Sequence, residues 1–353
     1  MLAAHSLDDI VAAIRNAEAA RAPLRIRGAG SKDFYGTLLA GEVLDVSAYR
    51  GIIAYEPTEL YITVKGGTPL SEIEAALAEK GQMLAFEPPG FATATVGGCV
   101  AAGLSGPRRQ QAGAVRDFVL GVKLIDGTGQ MLDFGGQVMK NVAGYDVSRL
   151  IAGSMGTLGL IAEVTLKVLP LPVAEQTRCF ELSESAAIST LNQWGGQPLP
   201  ISASFWHDGQ LWLRLSGAKA AVDAACAKLG GSITVNAEKH WNFVREQTHP
   251  AFQAPILWRL ALPSTTPALA LEGLRAIEWG GALRWYAGEL EAVREVANKA
   301  GGHAVLYRAP ESMRLREGAF APLSPALMAL HRRLKKTFDP KGILNPGRMF
   351  AEL

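Results

Sequence analysis

A short glycine-rich segment near the start of the chain, Gly28-Ala29-Gly30-Ser31, constrains the fold more than any other stretch. It follows Leu24-Arg25-Ile26-Arg27, whose alternating apolar and basic side chains predict a short strand. Two glycines separated by one small residue allow positive φ and turn several N–H groups to one side. Such a concave run of N–H groups binds an anion, most often a phosphate or pyrophosphate. A glycine-rich turn without a ligand explains so short a motif equally well.

Two familiar phosphate-binding loops do not fit this segment. The dinucleotide fingerprint requires a third small residue at position 33, where a helix would begin. Asp33 stands there instead, and Phe34-Tyr35-Gly36 predicts a turn. The P-loop requires Gly-Lys-Ser/Thr after four spacer residues, an order that the segment lacks. Other parts of the chain must therefore decide between a binding loop and a plain turn.

Length and charge narrow the class of protein. The chain has 353 residues, 48% of them hydrophobic, and a formal charge of +2. Two domains are expected, since one core rarely grows beyond about 250–300 residues. No basic run predicts a nucleic-acid partner, no apolar stretch predicts a transmembrane segment, and the start of the chain lacks the pattern of a signal peptide. Three widely spaced cysteines favour a reducing, cytoplasmic location.

Two further stretches are unusually poor in large side chains. Almost every residue from 92 to 106 is small, and residues 153–159 form a glycine-rich turn that leads into an alternating strand. A packed core needs volume, so this composition indicates that something approaches the backbone closely. The approaching group is either another backbone or a flat ligand.

A change in composition predicts a domain boundary near residues 170–173. All seven tryptophans lie between Trp194 and Trp285, whereas 23 of the 38 glycines precede Pro170. The region beyond predicts alternating helices and strands, each helix ending at a glycine pair (195–196, 230–231, 280–281 and 301–302). Ser324-Pro325 then opens a last helix, whose predicted buried stripe is Leu327, Leu330, Leu334 and Phe338.

Taken together, these stretches resemble the FAD-binding domain of the vanillyl-alcohol oxidase / p-cresol methylhydroxylase (PCMH) flavoprotein family. The resemblance covers roughly residues 1–170 and 320–353. The matching segments are Ile26-Arg27-Gly28-Ala29-Gly30-Ser31, Pro88-Pro89-Gly90 with Thr95-Val96-Gly97-Gly98, residues 115–121, residues 139–146, Gly153-Ser154-Met155-Gly156-Thr157-Leu158-Gly159, and the tail from Phe338 to Gly347.

The resemblance implies an α+β fold with a two-part FAD-binding domain of the PCMH type and an α+β cap domain. The FAD-binding domain would comprise residues 1–172, the cap or interaction domain residues 173–310, and residues 311–353 would return to the FAD-binding domain.

The resemblance also implies FAD and the residues that bind it. The pyrophosphate would lie on the first loop, formed by Arg27, Gly28, Ala29, Gly30, Ser31 and Lys32. The flavin and ribityl chain would follow Pro89, Gly90, Thr95, Gly97 and Gly98. Ser105, Gly106 and Gly113 would flank the same groove, and Gly159 and Ile161 would meet the adenine side. Some relatives attach FAD through a His beside the pyrophosphate loop; this loop has none, so we expect non-covalent FAD.

The activity implied is that of a subunit of a glycolate oxidase (glycolate dehydrogenase) complex, which oxidises glycolate to glyoxylate. The expected partners are a catalytic flavoprotein subunit and an iron–sulfur subunit that receives the electrons. Through them the chain would lie peripherally on the inner face of the cell membrane. Two alternatives remain open: an autonomous FAD-dependent 2-hydroxy-acid dehydrogenase, and a non-catalytic structural partner.

The chain departs from catalytic relatives in two places. Their His-rich metal segment, which ends in Gly-Asp-Gly-Asn, has no counterpart, so we expect no metal; His207-Asp208-Gly209 predicts a surface turn. Met139 and Ala143 stand where those relatives carry Arg and Thr. The catalytic residues are thus unknown. Candidates for contact with an anionic substrate or the flavin ring are Lys140, Tyr145, Asn345 and Arg348, each of which has a plainer interpretation as surface charge, fold support or turn.

Overall fold

A computed structural model describes residues 1–136, 146–289 and 291–353. In its first part the strands are β1 (Leu2–Ala3), β2 (Leu24–Arg27), β3 (Glu42–Asp45), β4 (Ile52–Glu56), β5 (Tyr61–Lys65), β6 (Gln82–Met83), β7 (Val119–Ile125), β8 (Met131–Gly135), β9 (Leu160–Lys167) and β10 (Leu169–Pro170). The helices there are α1 (Leu7–Ala20), α2 (Leu70–Ala78), α3 (Val96–Ala102), α4 (Arg109–Ala112), α5 (Val115–Phe118) and α6 (Val147–Ile151).

The remainder is built mainly of longer strands and helices. Its strands are β11 (Ala174–Glu181), β12 (Ile201–His207), β13 (Gln210–Gly217), β14 (Ser232–Ile233), β15 (Leu257–Ala261), β16 (Leu274–Glu278), β17 (Leu283–Ala287) and β18 (His303–Arg308). Its helices are α7 (Glu184–Gly195), α8 (Lys219–Leu229), α9 (Ala237–Arg245), α10 (Val293–Lys299), α11 (Glu311–Glu317) and α12 (Pro325–Phe338).

Two sheets organise the amino-terminal part, residues 1–170. A parallel sheet has the order β1-β3-β2, and an antiparallel sheet has the order β4-β5-β9-β7-β8. The carboxyl-terminal tail extends the parallel sheet, since the N–H of Leu24 donates to the Ile343 carbonyl at 2.7 Å and the N–H of Asn345 donates to the Leu24 carbonyl at 2.9 Å. The tail therefore lies beside β2, immediately before the glycine loop.

An eight-stranded antiparallel sheet spans residues 174–308 and is called the cap sheet below; its order is β14-β11-β13-β12-β16-β17-β15-β18. One face carries Phe205, Trp285 and Tyr307, which pack in one apolar cluster with Tyr35 and Met155 of the amino-terminal part. The cap sheet thus closes over one side of that part. The predicted boundaries at 172 and 310 fall in the connections on either side of this sheet and remain a proposal.

Several local predictions are confirmed. The sequence Ser6-Leu7-Asp8-Asp9 predicts the start of a helix, and Ser6 caps α1 in a reciprocal capping box with Asp9. The predicted strand β2 covers Leu24–Arg27, and Ser324 caps α12 with Pro325 in its first turn. The sequence Asp126-Gly127-Thr128-Gly129 predicts a hairpin turn, and it joins β7 to β8. The turn predicted at His207-Asp208-Gly209 joins β12 to β13, with His207 as the last residue of β12 and Asp208-Gly209 as the turn.

Other local predictions are wrong. The sequence Gly66-Gly67-Thr68-Pro69 predicts an N-cap at Thr68, but Pro69 stands there, and the Thr68 hydroxyl donates to the Lys65 carbonyl at 2.7 Å instead. Gly280-Gly281 joins two strands through a 3-10 turn rather than ending a helix. Leu327 and Leu330 are about half exposed, so only the later half of the α12 stripe is buried. Within the described ranges, no helix is long and apolar enough to cross a membrane.

Candidate functional site

The three glycine-rich stretches meet around one cleft. Its empty volume is about 770 Å³, including space open to solvent. The predicted residues that line it are Arg27, Gly28, Ala29, Gly30, Ser31, Lys32, Thr95, Gly97, Gly98, Gly159, Ile161, Asn345 and Arg348. Segments distant in sequence are therefore brought together as the glycine pattern predicts.

The conformation of the loop after β2, residues 28–31, requires glycine at two positions. A Cβ on Gly28 would overlap the hydroxyl of Thr95, and a Cβ on Gly30 would overlap the Arg27 guanidinium. Gly30 also has φ of +73°, a conformation that side chains disfavour. Within residues 1–136, 146–289 and 291–353, the N–H groups of Ala29, Gly30 and Ser31 have no hydrogen-bond acceptor. Unpaired N–H groups on one loop are suited to an anion.

Three cationic side chains line the same cleft: Arg27, Lys32 and Arg348. Lys32 and Arg348 are buried. Arg348 donates through Nη2 to the Lys32 carbonyl at 2.9 Å, but its buried Nη1 has no partner in the described structure. Burial lowers the pKa of Lys32 and lowers the pKa of Arg348 to about 10. A bound diphosphate would offset this desolvation and satisfy the unpaired donors.

One carboxylate, Asp33, lies near these cationic side chains and partly compensates their positive charge. Its Oδ2 lies 2.5 Å from Arg25 Nη2 and 3.4 Å from Arg27 Nε. Asp33 lines the cleft, and the described lining contains no other carboxylate and no histidine. The described lining is accordingly suited to an anionic ligand.

Close backbone contacts account for glycines on the second wall. A Cβ on Gly97 would lie 2.8 Å from the Gly66 carbonyl oxygen, and one on Gly66 would overlap the Ile161 carbonyl. The first N–H groups of α3 are already used: Val96 donates to the Thr68 carbonyl at 2.9 Å and Gly97 to the Gly66 carbonyl at 2.8 Å. Close approach of another backbone therefore explains Gly66 and Gly97, and contact of the small residues with a flat ligand stays a prediction.

The carboxyl-terminal tail forms the third wall. Asn345 accepts from the Ile26 N–H at 2.7 Å and donates to the Met155 carbonyl at 2.7 Å. A Cβ on Gly156 would lie 2.6 Å from Asn345 Nδ2. Since both polar atoms of its side chain bind backbone, Asn345 braces β2 against the third glycine stretch.

Comparison with known proteins agrees with this geometry. Residues 1–135 match a family model described as FAD binding domain, and residues 321–349 match FAD linked oxidases, C-terminal domain. The chain is 49% identical over 337 residues to glycolate oxidase subunit GlcE of Escherichia coli (strain K12), covering 94% of each protein. The chain belongs to the family of glycolate oxidase subunit GlcE.

More distant relatives share the fold of this GlcE family. Glycolate oxidase subunit GlcD of Bacillus subtilis (strain 168) is 25% identical over 417 residues, covering 100% of this chain and 89% of the relative. The crystal structure of p-cresol methylhydroxylase with substrate bound superposes with a TM-score of 0.72 at 14% identity, covering 99% of this chain and 88% of that chain. The PCMH-type FAD-binding fold and the cofactor FAD are thus confirmed for this member of the GlcE family.

Several predicted FAD contacts lie outside the cleft. Gly90 follows the buried Pro89, and its N–H donates to Glu246 at 3.1 Å. The Ser105 hydroxyl accepts from the Val115 N–H at 3.0 Å, the Gly106 carbonyl accepts from Trp279 Nε1 at 3.1 Å, and Gly113 ends α4. Contact of Pro89, Gly90, Ser105, Gly106 and Gly113 with FAD stays a prediction. Lys140 and Tyr145 lie outside the described residues.

Two lining residues, Val46 and Gly66, lie outside the stretches that the sequence singled out, whereas Ala101, Ala102, Met155, Gly156 and Leu160 lie within or directly after them. Gly66-Gly67 directly follows β5, as the 28–31 loop follows β2, so the same signal of strand then glycine would have found it. No group of metal-ligating side chains occurs in the parts of the chain that the structure covers.

Proposed function

We propose that this chain is the FAD-binding subunit of a glycolate oxidase complex that oxidises glycolate to glyoxylate. The observation that carries the proposal is the 49% identity to GlcE over 94% of both proteins. The unpaired loop N–H groups and the buried, incompletely paired Arg348 support a diphosphate site at the base of the cleft. The proposed FAD contacts are therefore Arg27 to Lys32 on one wall, with Thr95, Gly97, Gly98, Gly159 and Ile161 opposite.

FAD supplies a two-electron acceptor when bound, and the protein supplies binding and electrostatics. The loop N–H groups, Lys32 and Arg348 would hold the diphosphate, and the absence of histidine from the described lining supports non-covalent attachment. Asp33, engaged by two arginines, is poorly placed to accept a proton from substrate. This favours removal of that proton by a catalytic flavoprotein subunit.

The proposed partners are that flavoprotein subunit and an iron–sulfur subunit that receives the electrons. Membership of a family whose relative is named a subunit supports an assembly. The proposed location is peripheral, at the inner face of the membrane, through those partners.

Purification of the tagged chain, alone and coexpressed with the two partners, tests the proposal. We expect flavin absorbance in the isolated chain, FAD released by acid precipitation, and retention of both partners on the tag. Anaerobic glycolate should bleach the flavin absorbance of the complex and leave that of the isolated chain unchanged.

Each other outcome contradicts part of the proposal. Bleaching in the isolated chain would indicate an autonomous 2-hydroxy-acid dehydrogenase. A chain that stays colourless after addition of FAD would indicate a structural partner. Failure to retain either subunit would exclude the complex.

A further inference from the structure

An arginine lies on the apolar face of the cap sheet. Side chains alternate along a strand, so Arg259 shares a face of β15 with Leu257, which packs in the cluster that joins the cap sheet to Tyr35 of the amino-terminal part. Arg259 pairs across the sheet with Trp285, a member of the same cluster. The cationic side chain of Arg259 therefore lies where the cap sheet meets the amino-terminal part of the chain.

A second arginine reaches the same point from the other side. The Arg259 guanidinium carbon lies 5.1 Å from the ring centre of Trp279, and that of Arg109, on α4, lies 4.2 Å from it. The indole itself is fixed, because Trp279 is buried and its Nε1 donates to the Gly106 carbonyl at 3.1 Å. Two guanidinium groups from different parts of the chain therefore converge on one rigid ring.

Neither guanidinium forms an ion pair in the described structure, although the charge of Asp117 acts on Arg109 and the charge of Arg259 acts on Glu278. Arg109 and Arg259 donate no hydrogen bond to the described residues, and no described carboxylate lies within 4.0 Å of either. By contrast, neighbouring Arg108 is ion-paired with Glu87 and Glu175. Burial, and then the charge of Arg259, lowers the pKa of Arg109, so an anion would relieve both desolvation and repulsion.

The carboxyl group of Glu278 does not supply this anion. It is fully buried, and its Oε1 accepts from Trp285 Nε1 at 2.7 Å. Burial raises the pKa of Glu278 to about 7, so it carries much less negative charge near neutral pH than an exposed glutamate. The two arginines keep unused donors beside the Trp279 ring, and both are partly rather than fully buried.

We propose that Arg109 and Arg259 bind a small carboxylate anion at the joint between α4 and the cap sheet, with Trp279 as the floor of the site. A carboxylate offers two coplanar oxygens that match the fork of a guanidinium. The choice of glycolate or glyoxylate as ligand rests on the proposed function; the existence of the anion site does not.

One apolar cluster borders both the proposed site and the FAD cleft. Ala102 and Met155 line the cleft and belong to the same apolar cluster as Trp279 and Trp285. An acid held by Arg259 would therefore lie against the apolar cluster that borders the cleft, in the chain that binds FAD.

Isothermal titration of the FAD-loaded full chain under anaerobic conditions tests this inference. We expect glycolate and glyoxylate to bind with one site per chain, and glycolamide, which has a similar shape but no charge, not to bind. Arg259→Met and Arg109→Met should each weaken glycolate binding by about tenfold or more, as expected for loss of a charged hydrogen bond.

Arg294→Met is the matched control. Arg294 also lies over a cap-sheet tryptophan, 5.3 Å from the ring centre of Trp258, but it donates to the Glu317 carbonyl at 2.7 Å. This variant should bind glycolate like the parent chain. Thermal unfolding of each variant shows whether a loss of binding reflects a loss of folding.

Absence of carboxylate binding by the parent chain would overturn the inference, as would equal binding of glycolamide or undiminished binding by folded Arg259→Met. None of these outcomes alters flavin absorbance or retention of partner subunits. The titration can therefore contradict the anion site without contradicting the proposed function, and the reverse also holds.

Discussion

At the scale of single residues, Glu278 is the carboxyl group whose chemistry is most altered by its surroundings. Burial raises its pKa from 4.5 to about 7, although the Trp285 hydrogen bond and the charge of Arg259 both act to lower it. The folded protein therefore keeps this proton across a pH range in which the unfolded chain releases it. Stability from this group is full below pH 4.5 and is lost as the pH rises through about 7.

Glu278→Gln should remove this pH dependence. Glutamine is neutral and still accepts from Trp285 Nε1, so the variant should match the parent near pH 5 and exceed it near pH 8 by about 3 kcal/mol in unfolding free energy. Denaturant unfolding at pH 5, 6, 7 and 8 measures the difference. Glu181→Gln, at an exposed position, is the control, and parallel pH profiles for parent and Glu278→Gln would contradict the prediction.

The backbone conformation of the 28–31 loop depends directly on Gly30. Gly30→Ala requires a side chain at φ +73° and displaces Arg27, so FAD affinity should fall by about tenfold or more while the fold persists. Titration of the apoprotein with FAD, followed by flavin fluorescence, measures this. Gly195→Ala, whose Cβ meets nothing within 4 Å, should leave FAD affinity unchanged; an equal loss there would refute the assignment.

At the scale of elements, one buried lysine, Lys335, connects α12 to the amino-terminal part. Lys335 Nζ donates to the carbonyls of Thr157 at 2.8 Å and Leu344 at 2.7 Å, and lies 2.8 Å from Asp339. Asp339 in turn accepts from the N–H groups of Ile343 and Leu344. This pair fixes the last helix to the tail and to the glycine turn that forms one wall of the cleft.

Lys335→Met should lower the unfolding free energy by about 3 kcal/mol, because it leaves Asp339 buried without its partner. FAD affinity should also weaken, because the Thr157 and Leu344 carbonyls lose a common donor. Lys336→Met, an exposed neighbour on the same helix, serves as control. Denaturant unfolding and FAD titration measure both effects, and an unchanged FAD affinity would show that the pair supports α12 alone.

The sequence predicts features that depend on neighbouring residues, and it does not predict features that depend on contacts between distant segments. The cap of α12 and the glycine loop after β2 are local features, so their residues suffice to predict them. The burial of Lys335 depends on carbonyls in two distant segments, and the role of Gly280-Gly281 depends on antiparallel pairing in the cap sheet. Such pairing follows from register between strands rather than from local propensity.

At the scale of the whole molecule, a buried ionic network joins the two parts of the chain. Glu87 lies 3.2 Å from Arg108 Nε and 2.8 Å from Arg214 Nη2 of the cap sheet. Burial alone would raise the pKa of Glu87, but Arg214 and Arg108 hold it below its ordinary value. Stability from this group is therefore present above pH 4.5 and is lost at lower pH.

Glu87→Gln should destabilise the protein by about 3 kcal/mol at neutral pH, since two buried arginines lose a shared carboxylate. The defect should shrink as the pH falls below 4.5, where the parent also loses the charge. Unfolding at pH 4 and pH 7 measures it. Glu295→Gln, in an exposed pair with Lys299, should change stability by less than about 1 kcal/mol; equal effects of the two substitutions would contradict the network.

The pairing of the tail with β2 has a consequence for biosynthesis. Ile26 and Asn345 are bonded across 319 residues of chain, so a ribosome adding about 5–20 residues per second makes the second partner roughly 15–60 s after the first. Throughout that interval the nascent 28–31 loop lacks one flank of its nucleotide pocket. We therefore expect flavin loading to follow synthesis of the tail segment around Asn345.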